Sequence, residues 1–319
     1  MKPRILITMG DFNGIGPEVA LKALSDETFL EEASPVLVGS NQIVEYYEKL
    51  FGLRISRTRV GIIECAPDEK LPIEPGKIAE KAGEMSARFL QCAIDYVKKD
   101  AGDAIVTAPI SKEAFWMAGY RQFPGQTEFF STGFGAKRFA MMLISGKFRV
   151  CFATTHYPIR EVASQLTKQK IVDTATAVVQ ALQTFFGIKN PKIAISALNP
   201  HGGEHGKLGD EEDRIILPAI RQISDKGVRV EGPFPADTLF TRIDEKDFDA
   251  YLAQYHDQGM IPIKMYGFGS AVNFTAGLPV PRTSPDHGTA FDIAGKGVAS
   301  EKSMKEALQL AVQLASKKD

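Results

Sequence analysis

Short β-branched runs alternate with longer amphipathic stretches along this chain, and that alternation restricts its fold more than any other feature. "RILIT" (4–8), "PVLVG" (35–39), "AIVTA" (104–108), "AMMLI" (140–144), "RVCFATT" (149–155), "KIAISAL" (192–198) and "DAYLAQY" (249–255) have strand character. Helical periodicity falls around 17–25, 41–51, 77–99, 127–134, 167–186, 210–226 and 303–316. Strands alternating with helices predict an α/β fold with a mostly parallel sheet covered on both faces. One place breaks the rhythm: "MMLISGKFRVCF" puts Ser145-Gly146-Lys147 between two β runs, which predicts a hairpin. Ser303-Met-Lys-Glu306 predicts a capping box for the last helix. Asp210 to Asp213 place acids where a helix N-terminus favours them.

A length of 319 residues exceeds one small core, so one large α/β domain or two domains are expected. No low-complexity linker is present, and the breaker clusters "RQFPGQ" (121–126) and "YGFGS" (266–270) mark the candidate edges. They divide the chain into one lobe of 1–125 with 271–319 and a second of 126–270. The net charge of −1 gives no global field toward nucleic acid or acidic lipid. No apolar run reaches the length of a membrane span, and the first apolar run is too short for a signal peptide. Cys65, Cys92 and Cys151 are far apart and form no disulfide framework, which suits a reducing compartment with thiols as small core residues. A cytoplasmic protein is expected.

Three of the five histidines follow β runs: His156 after "RVCFATT", His201 after "KIAISALNP" and His256 after "DAYLAQY". Ligands collect beyond the carboxyl ends of strands in open α/β sheets. Three imidazoles at that edge can meet on a divalent cation such as Zn²⁺, Co²⁺ or Mn²⁺ and leave positions open for water or substrate. Asp257 and Asp237 are candidates to orient those ligands, or plain turn residues. "HGGEH" (201–205) matches the inverted zinc-protease pattern. That chemistry needs a helix, and Pro200, Gly202 and Gly203 disfavour one here.

"ITMGDFNGIGPEVA" joins the first strand to a helix through Gly14 and Gly16, without Rossmann or P-loop spacing. It is either a tight turn or a place where backbone approaches a ligand. "SPDHGTAFDIAGKG" (284–297) holds His287, Gly288 and Thr289 in one turn, which suits an adenine, and Asp292, which suits a ribose diol. Lys264, Asn273 and Arg282 lie between them and suit an anionic, polar substrate, or are exposed polar residues.

Taken together, "GDFNGIGPEV", "TAPISKEA", "PGQTEFF", "TTHYPIRE", "NPHGGEHGKLGDEE", "GPFPADTLF", "YHDQGMIPIK" and "VNFTAGLPVPRTSPDHGTAFDIAGKG" resemble the 4-hydroxythreonine-4-phosphate dehydrogenase family of vitamin B6 synthesis over nearly the whole chain. The resemblance implies a two-lobed fold shared with isocitrate and isopropylmalate dehydrogenases. It implies NAD or NADP as cofactor and a divalent metal (Zn²⁺, Mg²⁺, Co²⁺ or Mn²⁺) on His156, His201 and His256. It implies substrate contacts from Gln126, Thr127, Lys264, Asn273 and Arg282, and a homodimer whose partner subunit completes each site. The implied reaction oxidises 4-phosphohydroxy-L-threonine to a β-keto acid, which decarboxylates. Lys264 is the candidate for proton transfer, with Asp237 as the alternative. The family usually has Gly-His-Thr-Glu where this chain has Gly125-Gln126-Thr127-Glu128. Gln donates a hydrogen bond but carries no charge, so a four-carbon sugar-acid phosphate is the alternative substrate. A metal hydrolase without nicotinamide and a non-catalytic metabolite-binding protein are the remaining alternatives.

Overall fold

The computed structural model describes residues 2–241, 243–245, 247–267 and 270–316. Its strands are β1 (Arg4–Thr8), β2 (Ser34–Gly39), β3 (Gly61–Glu64), β4 (Ala104–Thr107), β5 (Ala140–Ser145), β6 (Phe148–Phe152), β7 (Lys192–Ser196), β8 (Arg229–Phe234), β9 (Ala250–Ala253), β10 (Val272–Ala276) and β11 (Arg282–Pro285). The chain forms two compact units, residues 1–136 with 278–319, and residues 137–277. In the first unit the strand order is β3-β2-β1-β4-β11, all parallel. In the second it is β10-β5-β6-β9-β7-β8, antiparallel only at β10-β5 and β5-β6. The protein is mixed α/β with mostly parallel pairing, and the expected hairpin joins β5 to β6 across Gly146-Lys147.

All four residues of β4 and of β9 are buried. Strands covered on both faces read as continuous apolar runs, which is why they were visible in the sequence. β3, β8, β10 and β11 were not. β10 (VNFTA) and β11 (RTSP) carry Asn, Arg, Thr and Pro. β8 contains Pro233 and is an edge strand, where a missing N–H is tolerated.

The helix Glu80–Lys98 buries Ala82, Met85, Phe89, Ala93 and Ile94, one stripe of a 3.6-residue period. The lobe edges expected after 125 and 270 fall after 136 and 277. Helix Gln126–Phe134 belongs with the first unit because it packs on Glu80–Lys98. At that crossing a side chain on Gly133 would collide with Ile94 Cδ1. The capping box is absent: the last helix starts at Lys302, and Ser303 Oγ instead accepts from Asp286 N at 3.2 Å. The acids at 210–213 do not all face solvent, since Glu212 is buried.

Candidate active site

In the second unit β6, β9 and β7 are adjacent and parallel, with Phe152 opposite Ala253 and Ile195 opposite Leu252. Their carboxyl ends therefore share one edge, and the segments leaving that edge carry His156, His256 and His201. His256 is the first residue of helix His256–Tyr266, which contains Gly259 and Pro262 and is not among the helices expected from the sequence. The His156 and His256 rings approach to 5.8 Å between centroids, and the Phe152 ring stacks on His256 at 6.0 Å. His256 Nδ1 lies 2.7 Å from Asp257 Oδ1. A carboxylate at one ring nitrogen leaves Nε2 for an electrophile and fixes the ring's tautomer, the usual support of a metal-binding imidazole.

His201 is not grouped with this pair. Among the described residues of one chain, no three His, Cys, Asp or Glu side chains form a group that could hold a metal ion. After β7 the backbone turns left-handed at His201, Gly202 and Gly203, with φ of 51°, 69° and 78°. The same geometry means that His201 and His205 do not share a helical face, so the protease pattern has no structural counterpart.

Two buried polar clusters hold these segments, and sequence reasoning missed both. Gln258 Oε1 accepts from Ser196 Oγ and from Gln254 N, each at 2.7 Å, while Gln258 Nε2 donates to Ala197 O at 2.7 Å. Gln254 Nε2 donates to Ser196 O at 2.7 Å. These bonds tie the end of β7 to the first turn of the His256 helix. Glu212 Oε1 accepts from Leu198 N and Asn199 N, both at 2.8 Å, and fixes the start of the His201 loop. The available signal was a pair of glutamines at i and i+4 flanking His256.

Lys264 is exposed on the His256 helix, and Asp237 is exposed in the first turn of the short helix Ala236–Leu239. Asn273, on β10, is half-buried, and its Oδ1 is buried with no hydrogen-bond partner among the described residues. A buried carbonyl oxygen in that state suits a ligand donor.

The first unit assembles the rest of the expected substrate set. Arg282 is buried to 2% exposure. Its Nη2 donates to Thr107 Oγ1 and, at 3.1 Å, to Gln126 Oε1. Gln126 Nε2 in turn donates to Ala108 O at 3.1 Å. The guanidinium lies over the Phe130 ring at 5.5 Å. Burial pulls its pKa down to about 10, against the attraction of Glu128. It remains a cation at neutral pH, desolvated and ready for an anion. Gln126 and Thr127 begin helix Gln126–Phe134, whose first-turn N–H groups favour negative charge.

The glycine turn packs against its own chain. A Cβ on Gly14 would lie 2.9 Å from Thr289 Cβ, and one on Gly16 would lie 2.5 Å from Met9 O. Ile15 N donates to Thr289 O at 2.9 Å. These glycines let the first turn close on the 287–292 segment. In that segment His287 Nδ1 is 3.1 Å from Gly288 O, and His287 Nε2 is buried without a hydrogen-bond partner among the described residues. Gly288 has open space beside it, and Asp292 is exposed.

Asp11, in the same turn, is fully buried, and its Oδ1 accepts from Asn13 N at 2.9 Å. Burial pushes its carboxyl from 3.8 up to about 6, against the pull of the Asn13 and Gly14 backbone N–H groups. The folded chain therefore keeps a proton that the unfolded chain releases across that window. Its contribution is most favourable below about pH 4 and is lost as pH rises through about 6, a change on the order of 3 kcal/mol. Asp11→Asn cannot ionise. It should be more stable than the wild type at about pH 7 and lose that advantage by about pH 4 in urea unfolding. A gap of the same size at both pH values would contradict this assignment.

Comparison with known proteins agrees with this architecture. A family model described as "Pyridoxal phosphate biosynthetic protein PdxA" matches residues 28–311. The 4-hydroxythreonine-4-phosphate dehydrogenase of Bacteroides thetaiotaomicron is 40% identical, over 98% of this chain and 89% of its own. The D-threonate 4-phosphate dehydrogenase of Cupriavidus necator is also 40% identical, over 99% and 98% of the two chains. A crystal structure of 4-hydroxythreonine-4-phosphate dehydrogenase from Klebsiella pneumoniae superposes with a TM-score of 0.89 at 36% identity, covering 99% of each chain.

Proposed function

This chain belongs to the PdxA family, and from that premise we propose that it is an NAD(P)-dependent dehydrogenase of 4-phosphohydroxy-L-threonine. The product is a β-keto acid that decarboxylates to 3-amino-1-hydroxyacetone 1-phosphate. The observation that carries the reading is the His156–His256 pair, with Asp257 on His256, at the carboxyl ends of β6 and β9. Two nearby imidazoles, one backed by a carboxylate, fit a divalent cation such as Zn²⁺, Mg²⁺, Co²⁺ or Mn²⁺. His201 completes the set across a homodimer. Exposed Tyr157, Ile159, Ile261 and Met265, beside His156 and on the His256 helix, support such an interface. The 287–292 segment fits a nicotinamide dinucleotide through the unpartnered His287 Nε2, the open face of Gly288 and the exposed Asp292.

When bound, the cation supplies Lewis acidity at the substrate hydroxyl and the nicotinamide accepts hydride. The chain's own groups do the rest. Arg282, held by Gln126 and Thr107, binds the phosphate together with Thr127 and the first turn of their helix. Asn273 Oδ1 accepts a hydrogen bond from the polar end of the substrate. Lys264, or Asp237 in its place, takes the proton of the secondary hydroxyl and returns one after decarboxylation. Asp257 keeps the His256 ring in one tautomer throughout. The protein acts on a small soluble metabolite in the cytoplasm. Among the described residues no helix is long and apolar enough to cross a membrane.

A second substrate, D-threonate 4-phosphate, is favoured by the relative that carries that name at the same identity. The two substrates share the phosphate and the oxidised hydroxyl and differ at the neighbouring carbon. An NAD(P)-coupled assay with both substrates, before and after exhaustive chelation, tests the proposal. Nicotinamide reduction should occur with one of them, stop on chelation and return with added divalent metal. Undiminished turnover after chelation, or none with either substrate, would refute it.

A further inference from the structure

Six consecutive residues in the second unit, His201 to Gly206, take positive φ: 51°, 69°, 78°, 42°, 56° and 85°. His201, Glu204 and His205 are not glycine, so their Cβ atoms make this left-handed turn costly. Two side chains clasp it. Glu212 is buried to 4% exposure at the start of a π-helical turn, Glu212–Ile216, a form met mostly at functional sites. Its Oε1 accepts from Leu198 N and Asn199 N, and its Oε2 accepts from Asn199 Nδ2 at 2.9 Å. Asn199 Nδ2 also donates to Glu211 Oε2 at 2.7 Å. The same oxygen of Glu212 packs against the turn, where a Cβ on Gly203 would be 2.7 Å from it. Beyond the turn, a Cβ on Gly209 would collide with the Asn199 amide. One carboxylate therefore holds both the entry to the turn and its middle.

We propose, on the reading of His201 as a metal ligand, that Glu212 is the positioning residue for His201 and thereby sets the affinity for a divalent cation. A left-handed turn with three non-glycine residues has shapes of lower backbone energy open to it, and the Glu212 carboxylate keeps it in one. A ligand held in its binding shape binds with full intrinsic affinity. One that holds that shape only part of the time binds more weakly in proportion. The clasp needs a carboxylate, which accepts on both oxygens, whereas a glutamine accepts on one and donates from its amide nitrogen. In Glu212→Gln that nitrogen faces Asn199 Nδ2, donor against donor. Asn199 cannot turn its own amide to compensate, because its Oδ1 would then face Glu211 Oε2. The effect of Glu212 is exerted through His201 and not on the reacting atoms.

The test uses the full-length protein, freed of metal by chelation and titrated calorimetrically with Zn²⁺. Glu212→Gln should raise the Zn²⁺ Kd by ~10- to 100-fold, the usual effect of losing a group that orients a metal ligand. Its kcat at saturating metal should stay near the wild-type value, because His201 is present and the bound cation restores the shape of the turn. Hydrogen exchange over residues 199–209 should be faster in the metal-free variant. Asn199→Ala removes the same clasp from its other side and should weaken Zn²⁺ binding in the same direction, independently of how well Glu212→Gln folds. Leu182→Ala opens a cavity on the buried face of helix Lys168–Thr184 and should lower stability to urea without moving the Kd. An unchanged Kd in Glu212→Gln and Asn199→Ala, or an equal rise in Leu182→Ala, would overturn the proposal. An unchanged Kd in His201→Ala would instead remove His201 from the metal set, and the proposal with it.

Discussion

Replacing His256 with alanine is expected to lower turnover by more than ~100-fold while leaving the folding transition in place. The magnitude follows from the partner next to it. Loss of a carboxylate that orients a metal-binding imidazole typically costs ~10- to 100-fold in affinity or activity, and loss of the imidazole costs more. Asp257→Asn should therefore fall in that lower range, and excess divalent metal should restore part of its activity. The same addition should not rescue His256→Ala. Folding is spared because the imidazole is half-buried and the structural bonds at the strand ends come from Gln254, Gln258 and Ser196. Steady-state rates across a metal titration, with urea unfolding of each variant, read both halves of the prediction. Near-normal turnover of His256→Ala would remove this residue from the site.

The second large effect is expected at Arg282. Hydrogen bonds to a charged group contribute about 1.5–3 kcal/mol each, so Arg282→Met should raise KM for the phosphorylated substrate by ~10- to 100-fold, with a smaller change in kcat. Arg282→Lys should recover little, because a point charge does not reproduce a planar fork held between Thr107 and Gln126. Arg282→Met also leaves Thr107 Oγ1 and Gln126 Oε1 without this donor, which costs about 1–3 kcal/mol of stability for each, so urea unfolding of the variant accompanies the kinetics. The discriminating measurement compares phosphorylated substrate with its dephosphorylated analogue. Equal losses on the two would show that Arg282 does not read the phosphate.

The legible part of this molecule was its local part. β1, β2, β4 to β7 and β9 were visible because their residues are buried on both faces and read as apolar runs. Helix Glu80–Lys98 was visible because its buried residues recur at helical spacing. The helix that starts at His256 was not visible, because Gly259 and Pro262 locally oppose it. Tertiary packing decides there: a side chain on Gly259 would be 2.7 Å from Phe152 Cε1 and from Val150 Cγ2, so only a bare backbone lets this helix close on β6. β10 and β11 were hidden because Asn273, Thr275, Arg282, Thr283 and Pro285 leave no continuous apolar run in either strand.

For the site, the sequence by itself delivered the histidines to strand ends, since strand ends and the residues after them are written consecutively in the chain. It also supplied the types of residue that an anionic substrate and a cation require. Only the tertiary structure decided that His156 meets His256, while among the described residues of one chain His201 joins no group of three potential metal ligands. It likewise decided that Arg282 is buried on Thr107 and Gln126. The physical reason is common to all of these. Periodicity and turn chemistry act over a few residues, whereas desolvation and ring contact depend on which remote segments the sheets bring side by side.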